Sequence, residues 1–361
     1  MCQYYGMRDC IRVLVLGTGQ MGSGIARLVL DKQGLKLVGA YARRPGRAGM
    51  DLGRAIGLGR NLGIPISNDL ASVIGQTRPE IAIQATCSRI ADAREELEIL
   101  VRQGVHVISI AEQLAYPASS SPAFAGALQS LAVAQGVSIV GTGINPGFVL
   151  DLLVITLTGV CADVQAITAT RVNDLSAYGP SVLASQGVGL SPAAFNRGMK
   201  EGTVAGHYGF AESIHLIAAA LGWEIARIEE TREPIVAQVR RSTPFVCVEP
   251  GQVAGCRHTA VAYQGDRPVI TLVHPQQVHP ELEGVETGDA IEITGTPAIR
   301  LAGSPEIPGG QGTIALAVNM IPRVLNAAPG LHTMAELPVP AALLGDVRKL
   351  VPGDNQVYSH D

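Results

Sequence analysis

The fold of this chain is decided by residues 11–22, which read Ile11-Arg-Val-Leu-Val-Leu-Gly17-Thr18-Gly19-Gln20-Met21-Gly22. Five of the first six are apolar and three of these are β-branched, and apolar residues recur at helical spacing after Gly22, so the pattern predicts strand, turn and helix. A G-x-G-x-x-G turn in that context is typical of dinucleotide binding, and we expect its six residues to contact the cofactor. The alternative is a chance match in a chain with 42 glycines.

The alternation of strand and helix continues to about residue 140. Further predicted strands are Leu35 to Tyr41, Glu80 to Ala85, Val105 to Ile110 and Val137 to Val140, with a helix from Ala91 to Gln103. Repeated βαβ units place parallel strands in one sheet that helices cover on both faces. The sequence therefore predicts an α/β fold that begins with a doubly wound parallel sheet of the Rossmann type.

After Gly147 the pattern changes to longer runs that alternate with polar residues. The strands predicted there are Ala166 to Asn173, Ile225 to Gln238, Gly255 to Tyr263, Val269 to Val273 and Ala290 to Ile293, with a helix from Ala211 to Leu221. A last helix, Gln311 to Leu325, contains Pro322, which should kink or end it. We predict a dinucleotide-binding domain over 1–146, an α+β substrate domain with a mixed, largely antiparallel sheet over 147–308, and a helix and tail over 309–361 that return to the first domain.

Composition narrows the kinds of partner. Of the 361 residues, 47% are hydrophobic and 16% are charged, which excludes a disordered chain. The net charge is −4, and no basic run is longer than two residues, so nucleic acid and anionic membranes are not expected partners. A small molecule is the expected partner.

Cysteine spacing and hydropathy indicate the compartment. The six cysteines form no C-x-x-C pair, which argues against a disulfide framework and a zinc site. No apolar run reaches the roughly 18 residues that a membrane helix needs. We expect a cytoplasmic protein with no membrane span and no metal.

The end of the second predicted strand decides which dinucleotide is bound. An NAD enzyme carries a carboxylate there for the ribose 2′-hydroxyl. This chain has no acid between Gly39 and Arg47 and instead presents Arg43 and Arg44, which suit a 2′-phosphate. We predict that NADP(H) is preferred and NAD(H) possible; the alternative is a solvated basic loop.

Polar residues at the carboxyl ends of the other parallel strands are the first candidates for chemistry. They include Thr86 and Cys87, which should line the cofactor crevice, and Asn145. Glu112 is the one carboxylate at these strand ends, and there it could hold an ammonium or iminium group and relay a proton. The alternative for Glu112 is an acid in a first helical turn, favoured by the helix dipole.

The second domain adds a polar cluster that closes its first strand. Arg171, Asn173 and Tyr178 belong to it, and His207 follows in a glycine-rich segment. Loop clusters of this kind often line a site, although a lone histidine is as often a structural hydrogen-bonding residue. His274 and His279 lack the spacing of a metal pair and are expected to be surface or packing residues.

Taken together, these segments resemble a known family. The segments are Gly17 to Gly22, Ile110-Ala-Glu112, Gly141-Thr-Gly-Ile-Asn-Pro-Gly-Phe148-Val-Leu-Asp151, Arg171-Val-Asn173, Ser176 to Gly179, Gln186 to Gly189, Gly206-His207-x-Gly209 and Thr313 to Pro322. From about residue 11 to 325 the chain resembles the 2,4-diaminopentanoate dehydrogenases and native amine dehydrogenases, whose architecture is like that of dihydrodipicolinate reductase.

The resemblance implies reversible oxidative deamination of a primary amine to a ketone or aldehyde and ammonia. It implies catalytic roles for Glu112, Asn145 and Tyr178 and a cofactor contact for Asn319. Substrate contacts are implied for Phe148, Arg171, Asn173 and His207. It also implies a homodimer. Either a 2,4-diaminopentanoate-like compound or a simple aliphatic amine could be the substrate.

Two other functions stay open from the sequence. One is a dihydrodipicolinate-reductase-like reductase of C=C or C=N bonds, but the His-His-x-x-x-Lys stretch of those enzymes is missing. The other is a protein that senses NADP without turnover, against which the polar cluster near Arg171 argues weakly.

Overall fold

The computed structural model describes residues 9–351, so the first eight and last ten residues of the predicted domains lie outside it. The chain forms two compact units. The first contains the described residues up to Gly147 and those from Gly309 onward, and the second contains Phe148–Pro308.

The strands and helices are numbered in chain order. The strands are β1 Ile11–Leu16, β2 Leu35–Tyr41, β3 Ile66–Ser67, β4 Ile81–Gln84, β5 His106–Ser109, β6 Ser138–Gly141, β7 Asp163–Asp174, β8 Arg227–Val236, β9 Arg241–Ser242, β10 Cys247–Val248, β11 Val253–Gln264, β12 Arg267–Gln277, β13 Gly288–Thr296, β14 Ile299–Gly303 and β15 Gly330–His332. The helices are α1 Gln20–Asp31, α2 Leu52–Ala55, α3 Leu70–Thr77, α4 Ile90–Arg102, α5 Pro122–Gln135, α6 Leu152–Thr158, α7 Pro180–Ser185, α8 Pro192–Glu201, α9 Phe210–Leu221, α10 Gly309–Asn319 and α11 Ile321–Leu325.

The first unit is built on a parallel sheet of seven strands in the order β15-β6-β5-β4-β1-β2-β3. Its central strands β1 and β4 are almost entirely buried, because helices cover both faces. Between β1 and β4 the strand order reverses, and ligands of such sheets bind at the carboxyl ends next to that point. The predicted doubly wound sheet is therefore confirmed.

One core cluster holds the helices of this unit on the sheet. It joins Leu14 and Leu16 of β1 to Leu97 and Leu100 of α4 and Leu128 of α5, all nearly inaccessible to solvent. Burying each such side chain stabilises the fold by about 1.5–3 kcal/mol. The strand ends are thus fixed relative to the helices.

The second unit contains a six-stranded sheet in the order β14-β13-β7-β12-β11-β8. All its neighbours are antiparallel except β7 and β12, which confirms the predicted mixed, largely antiparallel sheet. Asp151 joins two helices of this unit, since it caps α6 through the Leu152 amide and accepts the Ser213 hydroxyl of α9 at 2.8 Å.

Most element boundaries differ from the sequence predictions by a few residues, and two of the differences have a direct physical cause. The predicted helix from Gln311 to Leu325 is divided into α10 and α11 at Met320, because Pro322 fits only the first turn of a new helix. The strand β12 is longer than predicted, since pairing with β11 carries it to Gln277. None of the helices within residues 9–351 is long and apolar enough to cross a membrane.

Candidate active site

The glycine-rich turn between β1 and α1 has the geometry of a phosphate site. Gly17 has φ +103°, and a Cβ there would lie 2.4 Å from the carbonyl oxygen of Ala85. A Cβ on Gly22 would lie 2.0 Å from the carbonyl oxygen of Gly17, so both positions require glycine. Around Gly19, by contrast, nothing lies within 4 Å of the Cβ position, and no side chain caps α1.

This arrangement fits a dinucleotide. The open space over Gly19 lets a pyrophosphate approach the backbone, and the N-terminus of α1 directs N–H groups and a positive dipole end toward it. Thr18, between the first two glycines, is buried, and the side chain of Arg47 donates to its carbonyl oxygen. An arginine thus lies beside the turn.

Arg43, which follows β2, is held by helix α4. Its Nε donates to Oε1 of Glu96 at 2.6 Å, and its Nη2 donates to the Asp92 carbonyl and to Sγ of Cys87. Partial burial lowers the pKa of Arg43, but the hydrogen bond and charge of Glu96 outweigh it and raise that pKa. Arg43 is therefore a permanently charged and fixed group.

Arg44 differs from its neighbour Arg43. Its side chain is exposed and forms no ion pair with another residue in the described part of the chain. The basic loop thus contains one guanidinium anchored to α4, that of Arg43, one bonded to the glycine-rich turn, that of Arg47, and one exposed, that of Arg44.

A buried polar chain lies behind these strand ends. Glu96 accepts from the hydroxyl of Thr86 at 2.5 Å and from Nε2 of Gln84 at 3.2 Å. Oε1 of Gln84 accepts from the Ser109 hydroxyl, and Oγ of Ser109 accepts from the amide of Ala111 at 3.0 Å. Glu112 is the one carboxylate in the segments predicted to follow these strands, but α4 brings a second carboxylate, that of Glu96, to the end of β4.

Glu112 itself begins a 3-10 turn, Glu112–Ala115, directly after β5. It is half-buried. Its neighbour Gln113 fixes this turn, since the Gln113 amide donates to the Ser88 carbonyl and Oε1 of Gln113 accepts from the Ile90 amide at 2.9 Å. The carboxylate thus stands at the carboxyl edge of the parallel sheet on a backbone tied to two other segments.

The segment after β6 places Asn145 at the same edge of the first unit. Its neighbour Ile144 donates its amide to the hydroxyl of Thr313 in α10 at 3.0 Å. Asn319, at the end of α10, accepts from the Leu343 amide at 3.2 Å, so its side chain anchors the C-terminal segment. A cofactor contact by Asn319 stays a prediction.

In the second unit, five strands contribute one residue each to a cross-strand row. Antiparallel pairing sets Asp289 beside Arg171, His258 beside His274 and Arg232 beside His258. The parallel register of β7 and β12 places His274 level with Arg171. We refer to Asp289, Arg171, His274, His258 and Arg232 as the cross-strand row.

Arg171 is the largest buried charge in this row. Its side chain is 1% exposed, and Nη1 lies 2.6 Å from Oδ1 of Asp289. Nη2 donates to the Ile307 carbonyl. These two bonds leave further N–H groups of the guanidinium for another acceptor.

His207 packs on the row from the loop before α9. Its ring centroid lies 4.9 Å from that of His274 and 4.9 Å from that of Phe210. Its amide donates to Nδ1 of His258, whose Nε2 lies 3.0 Å from Oε2 of Glu230. His274 is thus buried inside the cluster, so the prediction of a surface position was wrong and that of a packing role was right.

Burial keeps these imidazoles neutral. It is the main cause that lowers the pKa of His207 and His274 well below the usual value, and the charge of Arg171 lowers both further. Burial also lowers the pKa of His258, against the opposing effect of Glu230. Within residues 9–351, no group of three or more His, Cys, Asp or Glu is placed to hold a metal ion.

The other predicted substrate residues lie around this unit. Asn173 is buried, and its Nδ2 donates to Oε1 of Glu306 at 3.3 Å. Burial raises the pKa of Tyr178, although Arg171 and a hydrogen bond with Asn173 oppose the shift. Phe148, the first residue of the unit, is half-buried. Tyr178 therefore interacts with both Arg171 and Asn173.

Sequence reasoning missed several polar residues of both units. Glu96 could have been noticed, because it lies on the apolar face of α4 between Ala93 and Leu97. His274 and His258 gave no such signal, since only the pairing of β11 with β12 brings them together. Arg47 was part of the basic stretch, but its contact with the glycine-rich turn depends on the path of the loop.

Two protein families match the chain in sequence. Residues 148–352 match the 2,4-diaminopentanoate dehydrogenase C-terminal domain, and residues 11–110 match the N-terminus of dihydrodipicolinate reductase. The match to the reductase is thus confined to the nucleotide-binding half, whereas the match to the dehydrogenase covers more than half of the chain.

Individual proteins extend this similarity over nearly the whole length. The 2,4-diaminopentanoate dehydrogenase of Acetoanaerobium sticklandii is 42% identical over 96% of this chain and 99% of its own. An amine dehydrogenase of Streptomyces virginiae is 24% identical over 92% of this chain and 98% of its own. The structure of an amine dehydrogenase from Mycobacterium smegmatis superposes with a TM-score of 0.83 at 29% identity, covering 93% of this chain and 98% of that one.

Proposed function

Because this chain belongs to the 2,4-diaminopentanoate dehydrogenase family, we propose that its substrate is an amine that also carries a carboxylate and that NADP(H) is the preferred cofactor. The enzyme is an NAD(P)-dependent amine dehydrogenase: it converts a primary amine to a ketone or aldehyde and ammonia, and reductive amination is the reverse. The observation that carries the substrate proposal is the group formed by the buried Arg171 and His274 and the half-buried His207.

Glu112 performs the polar part of the reaction in this proposal. Its carboxylate holds the substrate ammonium, takes a proton from it and then stabilises the positive iminium. When bound, the nicotinamide supplies the hydride acceptor for amine oxidation. Water then adds to the iminium carbon, and ammonia leaves. The support for this role is the position of Glu112 at the carboxyl edge of the sheet, on the turn after β5.

The substrate carboxylate is bound by the second unit. A neutral imidazole can donate one N–H, and Arg171 retains N–H groups beyond those used on Asp289 and Ile307. Charge-assisted bonds of this kind contribute more than neutral ones, about 1.5–3 kcal/mol each. A simple aliphatic amine offers nothing to compensate for burying these donors.

The cofactor preference is supported by the loop after β2. It contains three arginines and no acid, and Arg47 bonds the glycine-rich turn itself. Arg44 is free to reach a 2′-phosphate in bidentate fashion. Asn145, Thr86 and Cys87 complete the proposed nicotinamide side of the first unit, and Asn173 and Tyr178 the proposed substrate side of the second.

A panel assay tests this function. Initial rates are compared for 2,4-diaminopentanoate and 2-aminopentane, each with NADP⁺ and NAD⁺. 2-Aminopentane lacks the carboxylate and the second amino group, and its kcat/KM should be at least about 100-fold lower, since loss of the carboxylate alone removes the equivalent of one or two charge-assisted bonds. Equal kcat/KM for the two amines contradicts the substrate proposal, and faster turnover with NAD⁺ contradicts the cofactor proposal.

We further propose a cytoplasmic homodimer, which the family resemblance implies. Light scattering coupled to gel filtration measures the mass of the particle directly. A mass near the 37.6 kDa of one chain at micromolar concentration contradicts the dimer.

A further inference from the structure

The buried polar chain has an unusual course within the first unit. It begins at Arg43 after β2, passes through Glu96 of α4, Gln84 of β4 and Ser109 of β5, and ends at the amide of Ala111. The next residue in sequence is Glu112. Gln84 and Ser109 are fully buried and Glu96 is 4% exposed, so water does not supply alternative partners.

The charge of Glu96 sets the direction of every hydrogen bond in the buried polar chain. An ionised carboxylate only accepts, so Gln84 must turn its NH₂ group toward Glu96 and its oxygen toward Ser109. The Ser109 hydroxyl then donates to Gln84, and its lone pair accepts from the Ala111 amide. One buried charge thus orders a neutral network as far as the peptide that precedes Glu112.

The same carboxylate also fixes the cofactor end. Its bond to Nε of Arg43, at 2.6 Å, is supplemented by the bonds of Nη2 to the Asp92 carbonyl and Cys87. The guanidinium is thereby held in one orientation beside the loop that contains Arg44. Side chains on rigid supports bind with less loss of conformational freedom than mobile ones.

We propose that Glu96 is a positioning residue that couples the cofactor-binding arginine loop to the backbone of Glu112. This rests on the proposed function, in which Arg43 belongs to the cofactor site and Glu112 acts on the amine. Glu96 touches neither cofactor nor substrate in this proposal. Its effect reaches them through Arg43 on one side and through Gln84 and Ser109 on the other.

Three variants distinguish the effect of Glu96 on Arg43 from its effect on the backbone before Glu112. Glu96→Gln keeps the size of the side chain but removes the charge that orders the chain. Ser109→Ala breaks the chain between Gln84 and Ala111 and leaves the bond between Glu96 and Arg43 in place. Glu98→Gln is the matched control, because Glu98 lies on the same helix and forms an ion pair with Arg102, at 3.9 Å, rather than with Arg43 or Gln84.

Kinetics and cofactor binding give the first readout. Glu96→Gln should weaken NADPH binding about fivefold and lower kcat at saturating cofactor and amine about tenfold, since small displacements of reacting groups are costly. Ser109→Ala should lower kcat similarly with an unchanged Kd for NADPH. Glu98→Gln should change neither quantity. If Glu96→Gln alters thermal unfolding or Kd while kcat stays at the wild-type value, the coupling is refuted.

Amide hydrogen exchange of the apoprotein gives a readout that needs no turnover. The peptide containing residues 109–113 should exchange faster in Glu96→Gln and Ser109→Ala but not in Glu98→Gln, with exchange in the second unit unchanged. If wild-type protein oxidises no amine, the proposed function fails while this measurement still decides the coupling. Unchanged exchange at 109–113 in Glu96→Gln overturns the proposal whatever the activity.

Discussion

The two units bury charged groups on their sheets in opposite ways. In the first unit, the buried charge is the carboxylate of Glu96, and donors from Arg43, Thr86 and Gln84 surround it. In the second unit, the cross-strand row gathers N–H donors, and the histidines beside Arg171 are neutral because burial lowers their pKa. The first unit is thus organised around an acid and offers a further acid, Glu112, whereas the second gathers the donors that we propose bind the substrate carboxylate.

The largest expected effect tests the role of the acid Glu112 in the first unit. Glu112→Gln should lower kcat for deamination about 1,000-fold, since a positioned acid or base contributes roughly 10²–10⁴. NADPH binding, measured by fluorescence titration, should stay at the wild-type value because Glu112 does not hold the phosphates. Near wild-type turnover removes Glu112 from the mechanism.

The next effect tests the proposed binding of the substrate carboxylate by the donors of the second unit. His274→Phe removes an N–H donor but keeps a buried ring, so KM for 2,4-diaminopentanoate should rise about 10- to 100-fold. The rate with 2-aminopentane should change little, because that amine has no carboxylate. His279→Gln is the control, since His279 bonds Ser242 and Glu281 outside the cluster. An equal loss with both amines indicates a structural role instead.

A smaller effect is expected at the cofactor loop. Arg44→Ala should raise KM for NADP⁺ about tenfold, as expected for loss of one charge-assisted phosphate contact, and should leave KM for NAD⁺ unchanged. Arg60→Ala, at another exposed arginine of the first unit, serves as the control. If KM for both cofactors rises equally, Arg44 does not read the 2′-phosphate.

The last prediction concerns stability rather than activity, and it compares the number of buried imidazoles in each unit. Burial lowers the pKa of His106 to about 4 in the first unit and also lowers that of His207, His258 and His274 in the second. The unfolded chain binds these protons below about pH 6.5 and the folded chain does not, so stability is lost as the pH falls through that value.

Chemical denaturation between pH 7.5 and 5.5 measures this loss. Each buried imidazole should destabilise the fold by about 1.4 kcal/mol per pH unit below 6.5, down to its folded pKa. Spectroscopic signals from Trp223 report on the second unit, which should respond more than the first. A free energy of unfolding that does not change over this range contradicts the assigned neutral state.

The parts of the structure that were predictable depend on neighbours in sequence. The strand, turn and helix around Gly17 follow from local hydrophobic period and from glycines that tolerate φ near +103° and close backbone approach. The break near Pro322 likewise follows from one residue's missing amide. Most strands were found because buried runs of apolar residues are visible without knowing their partners.

The groups that were missed depend on pairing between distant strands. Nothing near His274 in sequence indicates that His258 and Arg171 lie beside it, since β7, β12 and β11 are separated by many residues. Glu96 was overlooked for the related reason that its partners Arg43 and Gln84 come from other elements. Arg171 was predicted as a substrate residue, but its pairing with Asp289 became visible only from the sheet register.

The sequence by itself determined the doubly wound sheet, the glycine turn, the basic loop in place of an acid, and Glu112 at a strand end, because each is a local pattern. Only the tertiary structure decided which charges are paired and which polar groups are buried. Desolvation and hydrogen-bond direction depend on every element that surrounds a side chain. For this reason the sequence shows only a basic loop and scattered histidines. In the folded protein these residues belong to the buried polar chain around Glu96 and to the cross-strand row around Arg171.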